Sequence, residues 1–112
     1  MALPDAMIDE LITLTHDPDP EVRVQAVHDL CPCELKGDYP RAWDRIIEMV
    51  DDGSVRVRST VFHTLGDGSP RHREEEVVGA IRKLEHDDDK KLRRRARKLM
   101  ALYARTGKIN VL

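Results

Sequence analysis

The chain has 112 residues, a length that allows one domain. Its hydrophobic share of 40% is too high for a disordered chain, while 36% charged and 4% aromatic residues suit a helical array with solvated outer faces. The net charge of −2 conceals a polarity: residues 1–52 carry 13 acidic and 4 basic side chains, the remainder 8 and 15.

The N-terminus Met1-Ala2-Leu3-Pro4-Asp5 lacks a basic segment followed by an apolar one, so no signal peptide is read. Apolar runs are only a few residues long, so no membrane span is expected either. Pro4 and Asp5 open the first helix, with Met7, Ile8, Leu11, Ile12 and Leu14 at helical spacing. His16-Asp17-Pro18-Asp19-Pro20 breaks it, and Asp19 as N-cap with Pro20 at N1 starts a second helix whose apolar stripe is Val22, Ala26, Val27 and Leu30.

Pro32 to Pro40 is the longest connector. A helix over 41–50 follows, burying Ala42, Trp43, Ile46, Ile47, Met49 and Val50. Asp52-Gly53-Ser54 forms a tight turn with Ser54 as N-cap; the next helix runs to Leu65 and ends at Gly66. Ser69 and Pro70 are the expected cap and first residue of a helix lined by Val77, Val78, Ile81 and Leu84. After Asp87-Asp88-Asp89, the last helix carries Leu92, Ala96, Leu99, Met100 and Tyr103 and stops at Gly107. Ile109, Val111 and Leu112 are expected to fold back over the end of the stack.

The second helices share one pattern. Asp17, Asp19, Val22-Arg23, Ala26, His28 and Leu30 recur 35 residues on as Asp52, Ser54, Val57-Arg58, Val61, His63 and Leu65, and again as Asp87, Asp89, Leu92-Arg93, Ala96, Lys98 and Met100. A constant period of this length predicts an all-α solenoid of three two-helix repeats, about 4–32, 39–67 and 70–106, with a C-terminal cap over 107–112. The turn Asp followed by Val-Arg or Leu-Arg resembles HEAT repeats, in a length similar to compact bacterial HEAT-like versions. The Trp-x-x-Leu-Gly-x-x-Tyr signature of tetratricopeptide repeats is absent. The resemblance implies a ladder between neighbouring units made of Asp17, Arg23, Asp52, Arg58, Asp87 and Arg93. It also implies that the second helices line a concave face.

Projecting those helices at about 100° per residue places His28, His63 and Lys98 in one row along that face, with Val24, Ser59 and Arg94 beside them. Arg56, Ser59, Thr60, His63, Lys91, Arg94, Arg95, Lys98 and Arg105 are thus the candidate binding residues. The basic C-terminal half of the face suits an acidic protein segment or the phosphates of a nucleic acid. No aromatic residue interleaves with the arginines in sequence, which argues against a base-stacking surface for single strands. The opposite charges of the two ends also allow head-to-tail self-association.

Cys31-Pro32-Cys33 is the most unusual local sequence. With His28 and His63 the two thiols make a four-ligand zinc set, but Cys-x-Cys is not a usual zinc spacing. Thiols closing a helix end, in a reducing cytoplasm, are the preferred reading, and neither metal nor cofactor is expected. His16 and His86 precede turn aspartates and read as cations at helix C-termini. Asp87-Asp88-Asp89 lacks the spacing of an EF-hand loop. There is no Gly-rich phosphate loop, nucleophile elbow or His-Glu-x-x-His. The expected function is therefore non-catalytic: an interaction module that holds a partner segment on its concave face, with polyanion binding through the basic helix as the alternative.

Overall fold

The structure is a computed structural model and describes residues 4–31 and 39–112. The described residues contain helices and no strands. They form three helix pairs: α1 (Asp5–Leu14) with α2 (Pro20–Asp29), α3 (Pro40–Glu48) with α4 (Val55–Gly66), and α5 (Glu74–Leu84) with α6 (Lys90–Thr106). One cluster of buried side chains runs from Ile8 to Ile109 through all three pairs, so the repeats share a single core.

Each pair turns in the same way. Oδ1 of Asp17, Asp52 and Asp87 accepts the backbone N–H two residues on, at 2.8, 2.9 and 2.9 Å. Two of the residues that follow the turn then cap a helix: Asp19 accepts from Glu21 N and Asp89 from Leu92 N. Ser54 occupies the cap position of α4, but its side chain caps nothing. The arginine six residues past each turn Asp reaches back through Nη1 to that residue's carbonyl, as Arg23 does to Asp17, Arg58 to Asp52 and Arg93 to Asp87.

Besides Ser54, four local features differ from the sequence-based expectation. Val24 is half-buried against the core instead of pointing away from it. Gly66 stays inside α4, and the left-handed residue after it is Gly68, at φ 93°. Ser69 caps no helix; it is buried, and its carbonyl accepts from Asn110 Nδ2 at 2.9 Å. A 3-10 turn, Arg71–Arg73, intervenes, so α5 begins only at Glu74.

The C-terminal tail is anchored at this same turn. Gly107 closes α6 in the left-handed conformation at φ 71°, its N–H bonded to the Tyr103 carbonyl. The tail then runs back so that Ile109 is buried and Leu112 N donates to Gly66 O at 2.8 Å. A Cβ on Gly66 would lie 2.4 Å from Leu112 Cδ1, so glycine is what allows the tail to approach α4. Val111 and Leu112 remain nearly half exposed.

The two end faces of the stack are unlike. Met7 and Leu14 are 48% and 37% exposed, whereas their counterparts Ala42 and Met49, then Val77 and Leu84, are buried. At the other end, the positions of Val27 and Phe62 are taken by exposed Arg97, those of Ile12 and Ile47 by exposed Arg82, and those of Thr15 and Val50 by Glu85. The third repeat thus carries charge where the first two bury side chains, as a terminal repeat of an array does.

Candidate functional site: a basic groove beside the last helix

Much of the charge polarity is consumed inside the fold. Arg41 pairs with Asp9, Arg56 with Glu21, Arg73 with Asp44, and Lys83 with Asp51; each is a cation of one repeat on a carboxylate of the repeat before. The turn arginines run the opposite way. Arg23 donates to both carboxylate oxygens of Asp52, at 2.9 and 3.0 Å, and Arg58 makes the same fork with Asp87. Asp17 precedes this series and Arg93 follows it, and among the described residues neither has an ion-pair partner.

The cations left over gather on α6. Among the described residues no carboxylate pairs with Lys91, Arg94, Arg95, Lys98 or Arg105. Three of them, Arg95, Lys98 and Arg105, rim a groove of about 350 Å³ whose other walls are Phe62, Leu99, Leu102 and Leu112. That volume is at the low end of the range for ligand pockets. The Arg95 guanidinium lies 5.0 Å from the Phe62 ring centroid, a cation–π contact. The groove therefore offers an apolar floor and a cationic edge.

The remaining candidate residues lie elsewhere. Arg56 is taken up by Glu21, and Ser59 and Thr60 are half-buried, with the Thr60 hydroxyl donating to the Arg56 carbonyl. Lys91 and Arg94 are exposed on the first turns of α6. His28, His63 and Lys98 are each exposed but face different neighbours: His28 Nδ1 is 3.3 Å from Asp29, His63 Nε2 is 3.5 Å from Asp67, and Lys98 lines the groove. Of the four candidate zinc ligands, the structure brings together Cys31 and His63. His28 is not part of that cluster, and Cys33 lies outside the described residues. Asp67, which joins Cys31 and His63, was not singled out from the sequence; its only one-dimensional signal is the spacing of four from His63 at a helix end.

The four apolar groove residues, Phe62, Leu99, Leu102 and Leu112, are absent from the candidate binding residues read from the sequence, where Leu99 stands in the core stripe and Leu112 in the C-terminal cap. The helical projection shows which α6 residues are exposed. It does not show that the tail, expected to fold back over the end of the stack, supplies an apolar wall beside them.

No helix among the described residues is long and apolar enough to cross a membrane. No curated protein and no solved structure matches the chain. A family model described as HEAT repeats matches residues 8–102, and the chain, with its three helix pairs and Asp–Arg pairs between neighbouring repeats, belongs to the HEAT-repeat family.

Proposed function

We propose that this protein is a non-catalytic interaction module whose basic groove holds an acidic segment of a partner protein, with one apolar side chain of that segment seated among Phe62, Leu99, Leu102 and Leu112. HEAT repeats commonly act as interaction or scaffold modules, which makes a protein partner the natural starting point. The observation that carries the reading is the combination of Arg95, Lys98 and Arg105 with an apolar floor. Unpaired cations select carboxylates and steer their approach, while burial of an apolar anchor supplies affinity that salt does not screen. A phosphate backbone would use the cations and leave Leu102 and Leu112 without a partner, so nucleic acid is the second choice.

Head-to-tail association between copies has less support. The outer face of the third repeat carries Arg82, Glu85 and Arg97, and stacking the apolar Met7 and Leu14 end of a second copy on it would bury those charges without carboxylate or cation partners of the internal kind.

Fluorescence anisotropy tests the reading with two labelled probes, an Asp/Glu-rich peptide containing one central Leu and a duplex DNA of equal charge. The peptide is expected to bind, to lose affinity when its Leu becomes Ser, and to lose it again in the Arg95→Glu/Lys98→Glu/Arg105→Glu protein. Binding of the duplex alone, with an affinity that collapses as salt is raised, overturns the protein-segment reading in favour of a polyanion site.

A further inference from the structure

At the opposite end of the second helices from the Asp–Arg ladder, three side chains from two repeats converge. Cys31 follows the C-terminus of α2, His63 lies in the last turn of α4, and Asp67 follows it. Cys31 Sγ is 3.9 Å from Asp67 Oδ2, and His63 Nε2 is 3.5 Å from the same oxygen. One donor atom from each residue lies within 4.8 Å of the other two. Ligands of a tetrahedral zinc ion, with bonds of about 2.0–2.3 Å, sit roughly 3.3–3.6 Å from one another. Small side-chain rotations therefore close the observed triangle around one ion.

The arrangement does not suit a Cys–His–Asp relay. In a relay the carboxylate holds one imidazole nitrogen and the thiol the other. Here Asp67 Oδ2 approaches both the thiol and His63 Nε2, so the three groups surround a point instead of forming a line. The donor set, one sulfur, one imidazole nitrogen and one carboxylate oxygen, suits zinc and other thiophilic divalent ions and not calcium or magnesium, which take oxygen ligands.

We propose that Cys31, His63 and Asp67 form a binding site for a thiophilic divalent transition metal, zinc foremost, that clips the C-terminal end of α2 to that of α4. Binding deprotonates the Cys31 thiol and releases one proton; the thiolate and the Asp67 carboxylate balance the two charges of the ion, and His63 coordinates as neutral imidazole. The Cys31 side chain is buried on one side of the site, while His63 and Asp67 are 51% and 32% exposed, which leaves the ion a route in from solvent and a fourth position for water. The ladder fixes the N-terminal ends of these helices, and the metal would fix the other. This inference is independent of the groove on α6.

The test is a cobalt titration of the reduced 112-residue chain, followed by absorption spectroscopy, with zinc added as competitor. The expected result is a thiolate-to-cobalt charge-transfer band that saturates at one equivalent and is abolished by one equivalent of zinc. His63→Ala and Asp67→Asn replace partly exposed side chains and are not expected to disturb folding. Each should weaken cobalt binding by more than the roughly 10–100-fold lost when a residue that only hydrogen-bonds to a metal ligand is removed. Cys31→Ser should remove the charge-transfer band, while Cys33→Ser and His28→Ala should leave it in place. If Cys31→Ser does not fold, as judged by circular dichroism, the His63 and Asp67 variants still decide the matter. Absence of a thiolate band in the wild type, a band unaffected by His63→Ala, or one that depends on Cys33 and not on Cys31 overturns the proposal.

Discussion

Arg58 and Asp87, 29 residues apart, meet fork to fork: Nε donates to Oδ2 at 2.7 Å and Nη2 to Oδ1 at 3.0 Å. The third nitrogen of the guanidinium, Nη1, donates to the Asp52 carbonyl at 2.9 Å. One side chain thus fastens its own repeat's turn and the next repeat's turn at once. The two side chains are 16% and 6% exposed, so the pair is largely withdrawn from water.

Removing Arg58 leaves a shielded Asp87 carboxylate without its fork and the Asp52 carbonyl without its donor. Arg58→Ala should therefore destabilise by about 2–4 kcal/mol. Arg94→Ala, at an exposed site on the next repeat's second helix, should stay within about 0.5 kcal/mol. Arg58→Lys should fall between them, because lysine keeps the charge and loses the fork. Urea denaturation followed by fluorescence of Trp43, the single tryptophan and 3% exposed, measures all three. Equal midpoints for Arg58→Ala and Arg94→Ala would show that the ladder contributes nothing.

The same pairs set the response to acid. Burial works to raise the Asp52 and Asp87 carboxyls, but hydrogen bonds from Arg23 and Arg58, the amides of Ser54 and Asp89, and the charges of Arg23, Arg45, Arg58 and Arg93 outweigh it. Both groups are thereby held below the ordinary carboxylate range. A carboxyl depressed in the folded state binds its proton first in the unfolded state. Its stabilisation is complete above the unfolded value of about 3.9 and is lost as pH falls through the lower folded value. Stability should therefore be flat with respect to these groups above about pH 5 and fall steeply below about 4. Asp87→Asn should be less stable at neutral pH and should show a shallower fall in acid, by up to one proton's worth of slope, measured as urea midpoint against pH.

Thr64 is 1% exposed, and among the described residues its hydroxyl has no hydrogen-bond partner. A buried hydroxyl without a partner costs about 1–3 kcal/mol of desolvation. Valine has nearly the same shape and no such group, so Thr64→Val should raise stability by about 1 kcal/mol. A lowered melting temperature would mean that the hydroxyl is satisfied in solution.

Gly66 separates helix propensity from the position of the tail. Alanine favours a helix by about 1 kcal/mol over glycine, but its Cβ would collide with the end of the Leu112 side chain, 2.4 Å away. Leu112 is flexible and 45% exposed, so the tail and not the helix should give way. Gly66→Ala should leave stability within about 1 kcal/mol of the wild type and abolish hydrogen-exchange protection of the Leu112 amide, which now donates to Gly66 O. The groove, losing one apolar wall, should bind the Leu-containing acidic peptide more weakly.

How far the sequence discloses this molecule depends on whether a feature repeats. Asp17, Asp52 and Asp87 stand one period apart, and so do Arg23, Arg58 and Arg93, so the solenoid is readable from spacing, and the resemblance to HEAT repeats adds that these residues form a ladder. The periodic pattern does not say that Arg58 forks with the next turn's Asp87 and takes only a carbonyl from its own Asp52. Features that occur once are the ones that spacing misses. Gly66 reads as a helix stop in one dimension, yet it is a point of contact with a tail 46 residues further on. Asp67 meets Cys31 only because α2 and α4 lie side by side, and no motif in the chain joins the two. The cations of α6 are visible as an exposed basic face, whereas the apolar side of the groove is assembled only in the fold, from Phe62 of α4, Leu99 and Leu102 of α6 and Leu112 of the returning tail.

The end of the array can be tested by undoing its charges. Arg82, Glu85 and Arg97 occupy the positions where the second repeat has Ile47, Val50 and Phe62. Those three are buried or half-buried against the third repeat, while Arg82 and Arg97 are exposed. Replacing them as Arg82→Ile/Glu85→Val/Arg97→Phe gives the third repeat the outer face of the second. The N-terminal end of another copy offers Met7 and Leu14 to such a face, together with the Asp17 carboxylate at the register where Asp52 meets Arg23 and Asp87 meets Arg58. The triple variant should therefore associate head to tail, its light-scattering mass rising with concentration, since a heterologous contact that does not close gives open chains. Adding Asp17→Ala removes the carboxylate that Arg93 of the neighbouring copy would reach and should weaken association by roughly the tenfold or more that a charged hydrogen bond is worth. If the triple variant stays at one mass over the same concentrations, the charges at these three positions are not what ends the stack.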